Sequence, residues 1–96
     1  MTCSLSTHVL DTSSGKPAAD VLVQVLHGDA VVAETRTDAD GRARLADDLT
    51  PSAYAIRFHP PSPFFRRVEL EVELAEGHYH VPLLVSPYGC ASYRGS

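Results

Sequence analysis

Histidine is the side chain that most readily trades protons near neutral pH, and this chain of 96 residues carries five of them. His78 and His80 stand in the segment His78-Tyr79-His80-Val81-Pro82-Leu83-Leu84. If that segment is a strand, the two imidazoles project from one face about 7 Å apart. Such a pair suits either a metal ion or acid–base chemistry. Zinc would require a third ligand, which His8 could supply. His8 lies in Ser6-Thr7-His8-Val9-Leu10-Asp11, where alternation puts it on one face with Ser6 and Leu10. Arg42 follows an Asp40-Gly41 turn, and Arg44 is its same-face neighbour. A guanidinium that met the histidines in a cleft could clamp a planar, anionic, oxygen-rich ligand. The final stretch, Ser86 to Ser96, is aromatic, carries few charges and stops at a serine. It reads as a packed element whose terminal carboxylate is a fixed anion.

The elements that must position these groups are strands. Val68, Leu70, Val72 and Leu74 alternate with Glu69, Glu71 and Glu73, the pattern of a strand with one wet face. Tyr54, Ile56 and Phe58 alternate with Ala55, Arg57 and His59 in the same way. Val21 to Leu26 is apolar on both faces apart from Gln24, as expected of a strand buried between layers. Val31 to Thr37 is rich in β-branched residues and follows Gly28-Asp29, a natural hairpin turn. Ser13 to Pro17 and Asp38 to Gly41 are turn sequences, the latter with Gly41 free to take positive φ. Pro60, Pro61 and Pro63 interrupt any ladder after His59. Seven or eight short strands at this spacing predict a single all-β domain over residues 1–96, a two-sheet sandwich or barrel.

Composition narrows the function classes. A net charge of −4 and the lack of a Lys/Arg run argue against nucleic acid as the main partner. No apolar run approaches the roughly 20 residues a membrane helix requires. Met1 to Ser6 lacks the layout of a secretory signal, so the expected compartment is the cytoplasm. Two cysteines, Cys3 and Cys90, cannot make a disulfide framework; a single bridge is open to them, and reduced thiols are the favoured reading. A chain this short has a thin core, which makes oligomerisation the expected support.

Three blocks carry a family resemblance. Leu5-Ser6-Thr7-His8-Val9-Leu10-Asp11-Thr12 with Gly15-Lys16-Pro17-Ala18, then Thr37-Asp38-Ala39-Asp40-Gly41-Arg42, then His78 through Pro87 with Tyr93-Arg94-Gly95-Ser96 resemble the 5-hydroxyisourate hydrolases, the enzymatic relatives of transthyretin. The closing tetrapeptide is the most specific of these, because transthyretins proper lack it. The resemblance implies a transthyretin-like (prealbumin-like) two-sheet sandwich and hydrolysis of 5-hydroxyisourate to 2-oxo-4-hydroxy-4-carboxy-5-ureidoimidazoline in urate degradation. It implies a small-molecule substrate, no cofactor, no metal, and a homotetramer built as a dimer of dimers with clefts between dimers. Carried over by position, the catalytic residues are His8, Arg42, His80 and Ser96, with His8, Arg42 and Tyr93 binding substrate. His8 or His80 serves as the base that activates water, Arg42 stabilises the oxyanion, and His78, on the same face but not at a working position, is a wall residue or one that stands behind the working groups.

The chain departs from the family pattern in two places. Cys90 and Ala91 stand where an aromatic and a hydroxyl residue are usual, which predicts adjusted packing beside the tail. The stretch between Phe58 and Val68 is shorter than usual, so the family's short helix is expected to be reduced or absent. The rival readings are a transthyretin-like carrier without catalysis, a zinc-dependent hydrolase using His8, His78 and His80, and an adhesion-type sandwich with no site.

Overall fold

A computed structural model describes residues 1–95. Their strands are β1 (Cys3–Asp11), β2 (Lys16–Pro17), β3 (Leu22–His27), β4 (Ala30–Arg36), β5 (Arg42–Leu49), β6 (Ser52–His59), β7 (Val68–Leu74), β8 (Gly77–His80), β9 (Leu83–Ser86) and β10 (Gly89–Ser92). One sheet runs β4-β3-β6-β7. In the other, β1 is the hub, flanked by β5 on one side and by β8 and β9 on the other. The two sheets pack face to face as an all-β sandwich around one shared core.

The expected seven or eight strands become ten segments among the described residues because one long run is divided. Val81 and Pro82 lie in no strand, and proline offers no N–H to a ladder. The run containing both histidines therefore splits into β8, which pairs Cys3 to Ser6, and β9, which pairs Val9 to Asp11. Lys16–Pro17 adds a two-residue strand against Leu10 and Asp11.

Period-two alternation builds the core. Cys3, Leu5, Thr7 and Val9 of β1 point inward and are buried, with Leu83 and Val85 of β9 beside them. Val23, Val25, Ile56 and Phe58 supply the opposing layer. The buried hydroxyl of Thr7 donates to the Val81 carbonyl at 2.6 Å, so no polar atom is stranded there. Burial of β3 between layers on both faces is not what the fold provides. Its Leu22 and Gln24 face is half-buried, because a two-layer sandwich covers only one side of each sheet.

Among the described residues there is no helix, and residues 60–67 form an irregular connection. The Ser62 hydroxyl accepts N–H bonds from Phe64 (3.1 Å) and Phe65 (2.9 Å) and donates to the Pro87 carbonyl (3.0 Å). Prolines at 60, 61 and 63 remove the donors a helical turn would need. Cys3 is buried, Cys90 is half-buried against the core, and neither is in a disulfide.

Gly41 is the turn residue with the least freedom to change. Its φ is +74°, and a Cβ there would meet the Val9 carbonyl oxygen at 2.5 Å and Pro17 Cβ at 2.9 Å. Both obstacles belong to the backbone or to a rigid ring. Gly41→Ala is expected to destabilise the fold by about 1–3 kcal/mol, measured as a lowered urea midpoint with an unchanged slope.

Candidate active site

The site is built outward from β1. Its outward-facing side chains are Ser4, Ser6, His8 and Leu10, each half-buried. Arg42 is brought beside His8 by the turn at Asp38. The Asp38 carboxylate accepts N–H bonds from Asp40 (2.9 Å) and Arg42 (3.0 Å), while the Asp38 N–H donates to the Arg42 carbonyl (2.9 Å). This closed turn is pinned to β1, because the Gly41 carbonyl accepts the Val9 N–H at 2.7 Å. The antiparallel register then sets His8 directly opposite Arg42, and directly opposed residues share a face.

β8 approaches β1 from the other side, parallel to it, pairing Ser4 with His78 and Ser6 with His80. Side chains of both histidines reach the β1 serines. Ser6 Oγ lies 2.9 Å from His80 Nδ1 and 2.9 Å from His78 Nε2, and Ser4 Oγ lies 2.6 Å from His78 Nδ1. The strand is held in this register by the Val81 N–H donating to the Ser6 carbonyl at 2.9 Å. From the C-terminal side, the Gly95 N–H donates to the His80 carbonyl at 2.7 Å in an isolated antiparallel bridge.

The charges converge on His80. Burial first, and then the nearby positive charge of Arg42, His8 and His78, holds its imidazole below the ordinary value of 6.5. Each cause disfavours the cation, so His80 stays neutral at neutral pH with one ring nitrogen free to take a proton. Since the shift is downward, the neutral form persists as pH falls through 6.5 and is lost only near the lower native value. In an NMR titration of the ring protons, His80 should show a midpoint below 6.5. Arg42→Gln should raise that midpoint by removing one of the cations.

Of the residues singled out in the sequence, His8, Arg42, His78 and His80 come together on one sheet face. Tyr93 lies elsewhere in the single chain, lining a cavity of about 370 Å³ with Leu70, Val72, Leu74, Tyr79 and Val81. The Arg94 guanidinium stacks over the Tyr79 ring at 4.6 Å in the same region. Ser96 lies outside the described residues. The second arginine, Arg44, is tied to Asp47 at 2.7 Å. Among the described residues no three His, Cys, Asp or Glu side chains are grouped to hold a metal ion. Ser4, Ser6 and Gly95 were not singled out for chemistry. The period-two run Ser4-Ser6-His8 was the available signal for the two serines.

Comparisons with known proteins bear on the family and the fold. The profile of the HIUase/Transthyretin family matches residues 5–95. A 5-hydroxyisourate hydrolase of Caulobacter vibrioides is 44% identical, with 96% of this chain and 97% of the relative covered. The solved structure of Klebsiella pneumoniae 5-hydroxyisourate hydrolase superposes with a TM-score of 0.89 at 33% identity over 100% of both chains. Sea bream transthyretin, at 24% identity and a TM-score of 0.83 over 95% of this chain and 93% of its own, shares the fold.

Proposed function

The chain belongs to the HIUase/Transthyretin family, and we propose that within it this protein is a 5-hydroxyisourate hydrolase acting through His80, His8 and Arg42. Its reaction opens a ring amide of the small-molecule substrate by addition of water. The observation that carries the reading is the polar face that holds two imidazoles and a guanidinium, one of the imidazoles, His80, held toward its neutral form. A carrier for an apolar ligand would present a mostly apolar surface instead.

Three tasks must be met: water made nucleophilic, a stabilised oxyanion and a protonated leaving nitrogen. His80 is the base. Its depressed pKa leaves a ring nitrogen unprotonated at neutral pH, and its Nδ1 is occupied by Ser6, which leaves Nε2 for water. Arg42, placed opposite His8, binds the substrate's oxygens and offsets the charge that develops on the carbonyl oxygen. His8 holds the opposite edge of the ring and assists proton transfer. Tyr93 and Ser96 help to orient the substrate. No step calls on a metal.

The working unit is a homotetramer, a dimer of dimers, in a reducing cytoplasm that suits the two free thiols. Support for assembly comes from the site itself. His8, Arg42 and His80 lie on an outward sheet face, and a second copy laid across that face would convert it into a water-excluding cleft. Tyr93 could reach such a cleft from a neighbouring subunit.

The direct test generates 5-hydroxyisourate with urate oxidase and follows its ultraviolet absorbance. Added protein should accelerate the decay, and exhaustive chelation should leave the rate unchanged. Light scattering on the eluting protein should give four times the 10.4 kDa chain mass. Decay at the uncatalysed rate would overturn the hydrolase reading, and a monomeric mass with full activity would overturn the assembly.

A further inference from the structure

The Ser6 hydroxyl touches two imidazoles at once. It lies 2.9 Å from both His80 Nδ1 and His78 Nε2, and the far nitrogen of His78 is 2.6 Å from Ser4 Oγ. A hydroxyl carries one proton and can donate to only one of these rings. For both contacts to be hydrogen bonds, one ring nitrogen must carry a proton and the other must be bare. The tautomers of His78 and His80 are therefore coupled through Ser6.

We propose that Ser6 and His78 form a proton relay that carries charge from the catalytic imidazole of His80 to solvent and back. The inference rests on the hydrolase reading of the same face and goes beyond it, because it gives work to residues that touch no substrate. In the resting arrangement His80 Nδ1–H donates to Ser6 Oγ, Ser6 O–H donates to His78 Nε2, and His78 Nδ1–H donates to Ser4 Oγ. All three contacts are satisfied, and His80 Nε2 presents a lone pair outward.

When the water oxygen bonds to the amide carbon, its proton goes to His80 Nε2. The Nδ1 proton passes to Ser6 as the hydroxyl's own proton passes to His78 Nε2. His80 and Ser6 end neutral, His78 is an imidazolium, and its charge balances the new oxyanion. As the carbon–nitrogen bond breaks, the leaving nitrogen keeps the electron pair and takes the proton on His80 Nε2. The relay then runs backwards to its starting state with no proton gained or lost.

The arrangement has a physical purpose. His80 is half-buried with Arg42, His8 and His78 nearby, so a cation resting there is disfavoured by burial and by like charge. His78 is exposed, and water can solvate the charge it receives. Arg44, opposite Ser6 in the register, has its charge offset by Asp47. Ser6 and His78 are thus positioning and relay residues, and the chemistry at the substrate remains that of His80.

Steady-state kinetics of the full-length protein on 5-hydroxyisourate test the relay. Ser6→Ala should lower kcat by at least about tenfold with KM little changed, since a base held in the wrong tautomer loses rate rather than binding. Ser6→Thr, which returns the hydroxyl, should restore most of the loss. His78→Ala should be slow in dilute buffer and recover as imidazole is added, whereas wild type should not respond. A role confined to packing would not be repaired by a dissolved proton carrier. Wild-type kcat in Ser6→Ala and His78→Ala, or Ser6→Thr as slow as Ser6→Ala in a folded protein, would overturn the relay while wild-type turnover kept the hydrolase reading intact. An inactive wild type would instead remove the hydrolase reading.

Discussion

His80→Ala should lower turnover of 5-hydroxyisourate by at least ~100-fold, the lower end of what a positioned base contributes, and should leave the fold in place. The expectation follows from where His80 stands. Its ring is the point on which the charges of Arg42, His8 and His78 act, and no other group occupies that position after truncation. Stability should change little, because the imidazole is partly exposed on an outward sheet face and adds nothing to the core. The backbone bonds at this position survive the substitution: the His80 carbonyl still accepts from Gly95, and the Val81 N–H still reaches Ser6. Loss of rate with an unchanged thermal transition would separate chemistry from folding. Turnover within a few-fold of wild type would remove His80 from the mechanism and shift the base to His8.

The same residues show which parts of this molecule can be read without coordinates. Alternation fixes what each strand buries, since Val68 to Leu74 and Tyr54 to Phe58 each sort into an inward and an outward row. The Asp38-to-Gly41 turn is equally local, because one carboxylate and one glycine close it. Placement of His78 and His80 on one face also needs only the strand period. Their partner does not follow from period alone. Ser6 is separated from His80 by 74 residues, and nothing near either one states that β8 lies parallel to β1 or in which register. That pairing depends on Val81 and Pro82 breaking the strand so that its two halves meet different parts of β1. For the same reason the outward face of β3 reads as buried in sequence, since an apolar residue does not report how many layers cover it. The resemblance to a hydrolase family supplied the choice among histidines that spacing left open.

A second large effect is expected at a residue with no side chain. Gly95→Ala should reduce kcat about 100-fold, the scale on which a 1 Å displacement of a reacting group acts. A Cβ at Gly95 would sit 2.7 Å from His80 Cδ2, 3.1 Å from the His80 carbonyl oxygen and 3.3 Å from His80 Cβ. Real Cβ atoms essentially never approach as closely as the first of these, and the other two, to the backbone oxygen and the side-chain root of the same residue, are tighter than most and require a small shift. The imidazole must therefore turn, the bridge between Gly95 and His80 must open, or both must happen. Turning the ring breaks the 2.9 Å contact of Nδ1 with Ser6, so the tautomer that presents Nε2 to water is no longer enforced. Opening the bridge instead releases the segment that leads to Tyr93 and Arg94, and Arg94 leaves its place over Tyr79. Either response damages the site, while the core is anchored elsewhere by Leu5, Val9, Ile56, Phe58 and Leu83. Gly95→Ala should accordingly unfold at nearly the wild-type urea concentration, with its His80 ring resonances displaced and its turnover collapsed. Full activity in that variant would mean that the segment ending at Gly95 does not rest against His80 in the working enzyme.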